Sequence, residues 1–166
     1  MTTTTTLGVV TLMGATITTA MAAGLLFCFA HSVMPGLGTL DDRAFLTGFQ
    51  RIDAAISNRW MGLTFLGSPV LILASLLLHL PGRGPVLAWL AAAMALVVAT
   101  FVITGVVNVP LNTAVQEAAP EMADAAGLRG RFEERWVLWN IVRTATSTGS
   151  LAALCWALFL TGRSAG

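Results

Sequence analysis

Apolar and polar positions along this chain separate into long blocks. Four runs are almost wholly apolar, at about residues 7–34, 60–80, 86–107 and 137–160. A helix rises about 1.5 Å per residue, so roughly 20 residues cross the hydrocarbon core and each run is long enough. Lipid offers no partner for free backbone N–H and C=O groups, whereas a helix satisfies its own. Each run is therefore expected to be a transmembrane helix. The first is longer than a crossing needs, which favours tilt or projection beyond the bilayer.

The connections differ. LPGRGP, residues 80–85, holds two prolines and two glycines and predicts a tight turn between antiparallel neighbours. The first and third connections, residues 35–59 and 108–135, are longer and carry charge. In the first, RAFLTGFQRIDAAI (43–56) places Phe45, Phe49, Ile52 and Ile56 at helical spacing, as a short interfacial helix would. In the third, AAPEMADAAGLRGRFEERW (118–136) reads as a helix started by Pro120, with a glycine break and a basic turn after it. The predicted fold is all-α: an integral membrane four-transmembrane-helix bundle with short interfacial helices in loops 1 and 3. It occupies residues 7–161, between a low-complexity, disordered tail at 1–6 and a second tail at 162–166.

Composition strengthens this reading. The chain is 56% hydrophobic and 10% charged, where soluble domains carry about 25% charge. Too few charges exist to cover a water-facing surface, so the surface is expected to face a bilayer. The net charge of +1 gives no electrostatic footprint for a nucleic acid. All basic residues are arginines. Loops 1 and 3 collect Arg43, Arg51, Arg59, Arg129, Arg131 and Arg135, against Arg83 and Arg163 on the other side. The positive-inside rule then puts loops 1 and 3 in the cytoplasm. The Lys-free, Ala-rich usage suggests a bacterial cytoplasmic membrane. The start, MTTTTTLGVV, lacks a basic n-region, so the first run is expected to be retained as a helix. Cys28 and Cys155 have neither metal-ligand nor disulfide-framework spacing and read as small buried hydrophobes.

The unusual residues gather at one end. VVNVPLNTAVQ (106–116) closes the third run with Asn108, Pro110 and Asn112; His31 ends the first run, before MPGL; Gln50, Asp53 and Asn58 belong to loop 1. The fourth run opens with RWVLWNIVRT (135–144), where Trp136, Asn140 and Arg143 share one helix face and Trp139 flanks it. A charge at the depth of Arg143 costs about 2.5–3.5 kcal/mol at a helix centre on insertion scales. It must snorkel, pair with Glu133, Glu134 or Asp53, or face a polar chamber. Taken singly, the tryptophans can be read as an aromatic belt, Asn108 and Asn112 as caps, and Pro110 as a helix stop. Together they predict a pocket at the bundle mouth. His79 stands apart, at the far end.

GLLFCFAHSVMPGL (24–37), FQRIDAAISNRW (49–60), NVPLN (108–112) and FEERWVLWNIVRT (132–144) resemble, in order and spacing, the anthrone oxygenase family of small four-helix membrane proteins. The resemblance implies oxidation of an anthrone-like or related phenolic substrate to a quinone by O2, a monooxygenase step of aromatic polyketide biosynthesis. Its motif residues fall here on Asn108, Pro110, Asn112, Trp136, Asn140 and Arg143, with Gln50 in loop 1. The chain departs from the pattern at Asp53, where Asn is common, and at Arg59, where Pro is. On this reading Arg143 and Asn140 stabilise enolate charge, Asp53 or His31 takes the proton, and Asn108, Asn112, Trp136, Trp139 and Gln50 bind a small apolar aromatic substrate. With two histidines expected on opposite faces and no GxGxxG fingerprint, no metal or cofactor is predicted, a metal or haem being left open. A homo-oligomer is left open too. The alternatives are a non-enzymatic small-ligand-binding or accessory protein and, with less in its favour, a transporter, since neither a repeat nor a mid-membrane charge in the first three runs is present.

Overall fold

The computed structural model of the chain describes residues 3–82, 84–118 and 124–163. Among the described residues seven α-helices follow in order, α1 Thr3–Cys28, α2 Met34–Gly38, α3 Asp42–Ile56, α4 Arg59–His79, α5 Pro85–Ile103, α6 Val109–Gln116 and α7 Ala125–Arg163, and no strand occurs. Helix α1 thus begins inside the Thr-rich stretch expected as a tail, while residues 1 and 2 lie outside the described residues. Four continuous helical stretches, Thr6–Gly38, Arg59–His79, Pro85–Gln116 and Ala125–Arg163, are long and apolar enough to cross a membrane, and the protein is an all-α membrane helical bundle.

The four stretches form a ring. α1 packs against α4 and α7, and α5 packs against α7 and α4. Large aliphatic side chains point outward, such as Val10, Ile17, Leu66, Val70, Leu73 and Val102. The inward faces carry small and hydroxyl residues, because the hydrophobic effect cannot drive helix association in lipid and close packing must. Thr19 and Ser68 hydroxyls meet at 2.7 Å, Thr100 and Thr146 at 2.8 Å, and Ser150 Oγ donates to the Ala93 carbonyl at 2.9 Å. Cys28 and Cys155 are free thiols on the outward surface, a correction to the expectation that they are buried. Each lies on an apolar helix face that needs no inward packing.

Two prolines shape the site end. A π-helical turn, Phe29–Val33, joins α1 to α2, and another, Thr104–Asn108, joins α5 to α6. Pro35 and Pro110 follow these turns by two residues. A proline has no N–H and its ring clashes with the carbonyl four residues back, here His31 and Val106. The wider π turn accommodates that clash without ending the helix. Pro110 therefore does not stop its helix, which runs on to Gln116, whereas the first span does close just after MPGL, at Gly38.

Helix α3 forms as its periodicity predicts. Asp41 caps it, Oδ1 accepting from Ala44 N–H at 2.9 Å, and it packs against α6 and α7. Phe45 and Phe49 are fully buried there, with the Phe49 ring 4.6 Å from Phe132 and 5.4 Å from Trp136. Loop 3 differs from its prediction. Residues 119–123, including Pro120, lie outside the described residues, and from Ala125 the chain is one unbroken 39-residue helix through Gly127 and Gly130. The expected glycine break is absent because Arg129 ties this segment down. Its guanidinium donates to Glu133 at 2.7 Å, Asp42 at 3.0 Å and the Leu40 and Gly38 carbonyls at 2.9 and 3.1 Å.

Candidate functional site

The fourth span, α7, supplies the inner wall of the site. Phe132, Trp136, Asn140, Arg143 and Ser147 are all buried at steps of three or four residues, so one stripe of α7 faces the other three spans. Arg143 is only 6% exposed. Its Nη2 donates to Asn140 Oδ1 at 3.0 Å and its Nη1 to Thr104 Oγ1 at 3.3 Å, while its guanidinium carbon lies 5.5 Å from the Trp136 ring. Its Nε is buried without a partner. Among the described residues no carboxylate pairs with it; Glu133 is engaged by Arg129 instead. This guanidinium neither snorkels nor forms an ion pair, the two structural roles open to it in the sequence. A buried cation so placed is held by neutral groups only, and it can stabilise negative charge arriving from elsewhere.

The opposite wall comes from α3 and α6. Thr104, Asn108, Asn112 and Gln116 follow at four-residue steps through the π turn and α6. Asn112 Nδ2 donates to Asp53 Oδ1 at 2.7 Å, and Gln116 Nε2 donates to Asp53 Oδ2 at 2.9 Å. Asn112 Oδ1 in turn accepts from Trp136 Nε1–H at 2.7 Å. A continuous hydrogen-bonded chain therefore runs from Gln116 through Asp53 and Asn112 to the Trp136 indole. Gln50 docks α3 onto α6 through its Nε2–H and the Val115 carbonyl, at 2.6 Å. Asn108 Nδ2 donates to the Trp136 carbonyl at 3.3 Å, and its Oδ1 is buried without a partner.

Between these walls lies a cavity of about 60 Å³. Asp53, Asn112, Asn140 and Arg143 supply its polar lining, and Phe29, Phe49, Phe65 and Trp136 its aromatic walls. The volume is far below the 300 Å³ or more that encloses a drug-sized ligand. It has room for no more than a diatomic molecule or one edge of a larger one.

The sequence-predicted residues thus divide. Asp53, Asn112, Trp136, Asn140 and Arg143 line one cavity. Gln50 and Asn108 stand behind it, holding α3 and α7 in place. Trp139 is half-buried and outside the lining. His31 is exposed; its Nδ1 bonds the Phe27 carbonyl at 2.7 Å and its ring stacks on Phe27 at 4.3 Å, on the outward face of the first span. The structure therefore brings Asp53 and not His31 to the cavity. Thr104 and Gln116 were missed, although the four-residue spacing of Thr104, Asn108, Asn112 and Gln116 was a readable signal. Among the described residues no group of three or more His, Cys, Asp or Glu side chains converges.

Residues 56–153 match the family described as anthrone oxygenase. No curated protein and no solved structure gives a significant match.

Proposed function

The chain belongs to the anthrone oxygenase family, and from that premise we propose that it oxidises an anthrone-like or related phenolic substrate to a quinone with O2. One observation carries this reading: a carboxylate, Asp53, and an unpaired guanidinium, Arg143, line the same small cavity without neutralising each other.

An anthrone carries an acidic methylene para to its carbonyl. Asp53 takes one methylene proton, its carboxylate held in place by Asn112 and Gln116. The electron pair left behind delocalises onto the carbonyl oxygen, where Arg143 and Asn140 stabilise the oxyanion in a largely apolar cavity. The electron-rich enolate transfers one electron to O2, and the radical pair combines to form a C–O bond. The peroxide takes the proton back from Asp53. Loss of the second methylene proton then breaks the O–O bond, expels hydroxide and leaves the new carbonyl. One oxygen atom enters the quinone, and the other leaves as water with both methylene hydrogens. In this scheme the chain's own residues supply the base and the charge stabilisation, and the substrate itself supplies the electrons.

The arginines of loops 1 and 3 favour a cytoplasmic location for the site end. The test of the reaction is purified protein in detergent with anthrone and O2, followed by quinone absorbance. Turnover lost in Asp53→Asn and in Arg143→Leu, each still folded, supports the reading. Wild-type turnover in both sinks it, and absence of turnover in the native protein leaves the cluster as a ligand-binding or helix-bridging network.

A further inference from the structure

The 60 Å³ cavity is too small for three fused rings, so the body of the substrate needs another place. A second hollow adjoins it. This groove, about 280 Å³, opens on the outward surface between α1 and the start of α4. Leu25, Ile56 and Met61 line both spaces and are the partition between them. Met21, Asn58, Trp60 and Thr64 form the rest of the groove.

The α1–α4 seam explains why a groove forms there. Toward the far end the seam is closed: an added Cβ on Gly14 would lie 3.2 Å from Leu71, and one on Gly67 would lie 3.4 Å from Thr18. Ser75 bonds Thr11 at 3.1 Å and Thr19 bonds Ser68 at 2.7 Å. Each step forward on α1 is matched by a step back on α4, and this register continued brings Leu25 level with Met61. There α1 approaches its π turn, and α4 starts from the Asn58 cap, whose Oδ1 accepts from Trp60 and Met61 N–H at 2.9 and 3.2 Å. The hydroxyl and glycine contacts that close the seam elsewhere are replaced here by longer apolar side chains. Met21 and Trp60 are 55% and 61% exposed on a face that carries aliphatic side chains above and below.

Resting on the reaction proposed above, we infer that this groove is the substrate's binding site and its entry from the lipid. A flat apolar aromatic molecule leaves the bilayer between α1 and α4, lies against Trp60 and Met21, and passes its reacting edge through the Leu25–Ile56–Met61 partition. Its reacting carbon then meets Asp53, Arg143 and O2 in the inner cavity. Unbranched Met61 is the member of the partition best able to swing aside.

The probe is 9-bromoanthracene, an unreactive tricycle whose bromine quenches indole fluorescence, added to the full chain in lipid nanodiscs. The Trp60 signal is read as the difference between the native protein and Trp60→Phe, and the Trp89 signal likewise from Trp89→Phe. Saturable quenching of Trp60 with only linear quenching of Trp89 is expected. Thr64→Phe, which fills the groove, should raise the saturating concentration at least tenfold, and Leu138→Phe on the outward face of α7 should shift it less than twofold. Linear quenching of Trp60 overturns the groove, as does an unshifted Thr64→Phe. If Thr64→Phe does not fold, the Trp60–Trp89 comparison still decides. Saturable quenching without anthrone oxidation removes the reaction and keeps the groove; oxidation with linear quenching does the reverse.

Discussion

Replacing Arg143 by leucine separates a structural role from a catalytic one, because the two predict opposite things about stability. On insertion scales an arginine at a helix centre is unfavourable by about 2.5–3.5 kcal/mol and a leucine favourable by about 0.3–0.6, so the exchange relieves roughly 3–4 kcal/mol. Against this stand the hydrogen bonds to Asn140 and Thr104 and the contact with the Trp136 ring. The Thr104 bond crosses between helices, where such bonds average about 0.6 and reach about 1.7 kcal/mol; the Asn140 bond lies within α7 and contributes about 0.5–1.5, and a cation–π contact adds about 0.5–1. The lost contacts sum to roughly 2–4 kcal/mol. The two sides cancel, and Arg143→Leu is expected to change stability by no more than about 1 kcal/mol in either direction. Quinone formation should nonetheless fall about 10²–10³-fold, the typical loss when one preorganised donor to a developing oxyanion is removed. Denaturant unfolding in detergent reads the first quantity and quinone absorbance the second. Destabilisation beyond about 3 kcal/mol, with turnover intact below the melting point, would refute the reasoning and make Arg143 a structural clamp.

Asp53→Asn keeps the shape but cannot accept a proton, and its amide brings an N–H toward one of the donors on Asn112 or Gln116. Turnover is expected to drop about 10²–10⁴-fold, with a stability loss on the order of 1 kcal/mol; an unchanged rate would remove Asp53 as the base. His31→Ala should be silent, within twofold in rate and about 0.5 kcal/mol in stability, because its ring faces outward against Phe27; a tenfold slower enzyme would contradict this. Arg129→Ala should lower the melting temperature through loss of its ties to Asp42, Glu133 and the Leu40 and Gly38 carbonyls. The effect, on the order of 1–2 kcal/mol, should shrink at high salt for the ion-paired part, and turnover at low temperature should stay near native.

Helix α3 and the four spans were legible in the sequence because hydropathy and period are local properties. Phe45, Phe49, Ile52 and Ile56 repeat at the helical period whatever they pack against, and a run of 20 apolar residues crosses a bilayer by length alone. The stripe of Trp136, Asn140 and Arg143 was equally plain, since one helix fixes which of its own residues share a face. What packing decided is how those faces meet. Whether Asp53 pairs with Arg143 or with Asn112 and Gln116 depends on the docking of α3 onto α6, which Gln50 sets across 65 residues of chain. Whether His31 looks inward depends on the azimuth of the first span as it enters its π turn. Pro110 reads as a helix stop because a lone proline usually is one; only neighbouring helices that hold the wider turn let the third span run on to Gln116. Sequence thus determined the spans and the chemical inventory of the site. Tertiary structure chose the contacts, because the rotation and register of one helix against another are properties of the pair and are encoded in neither alone.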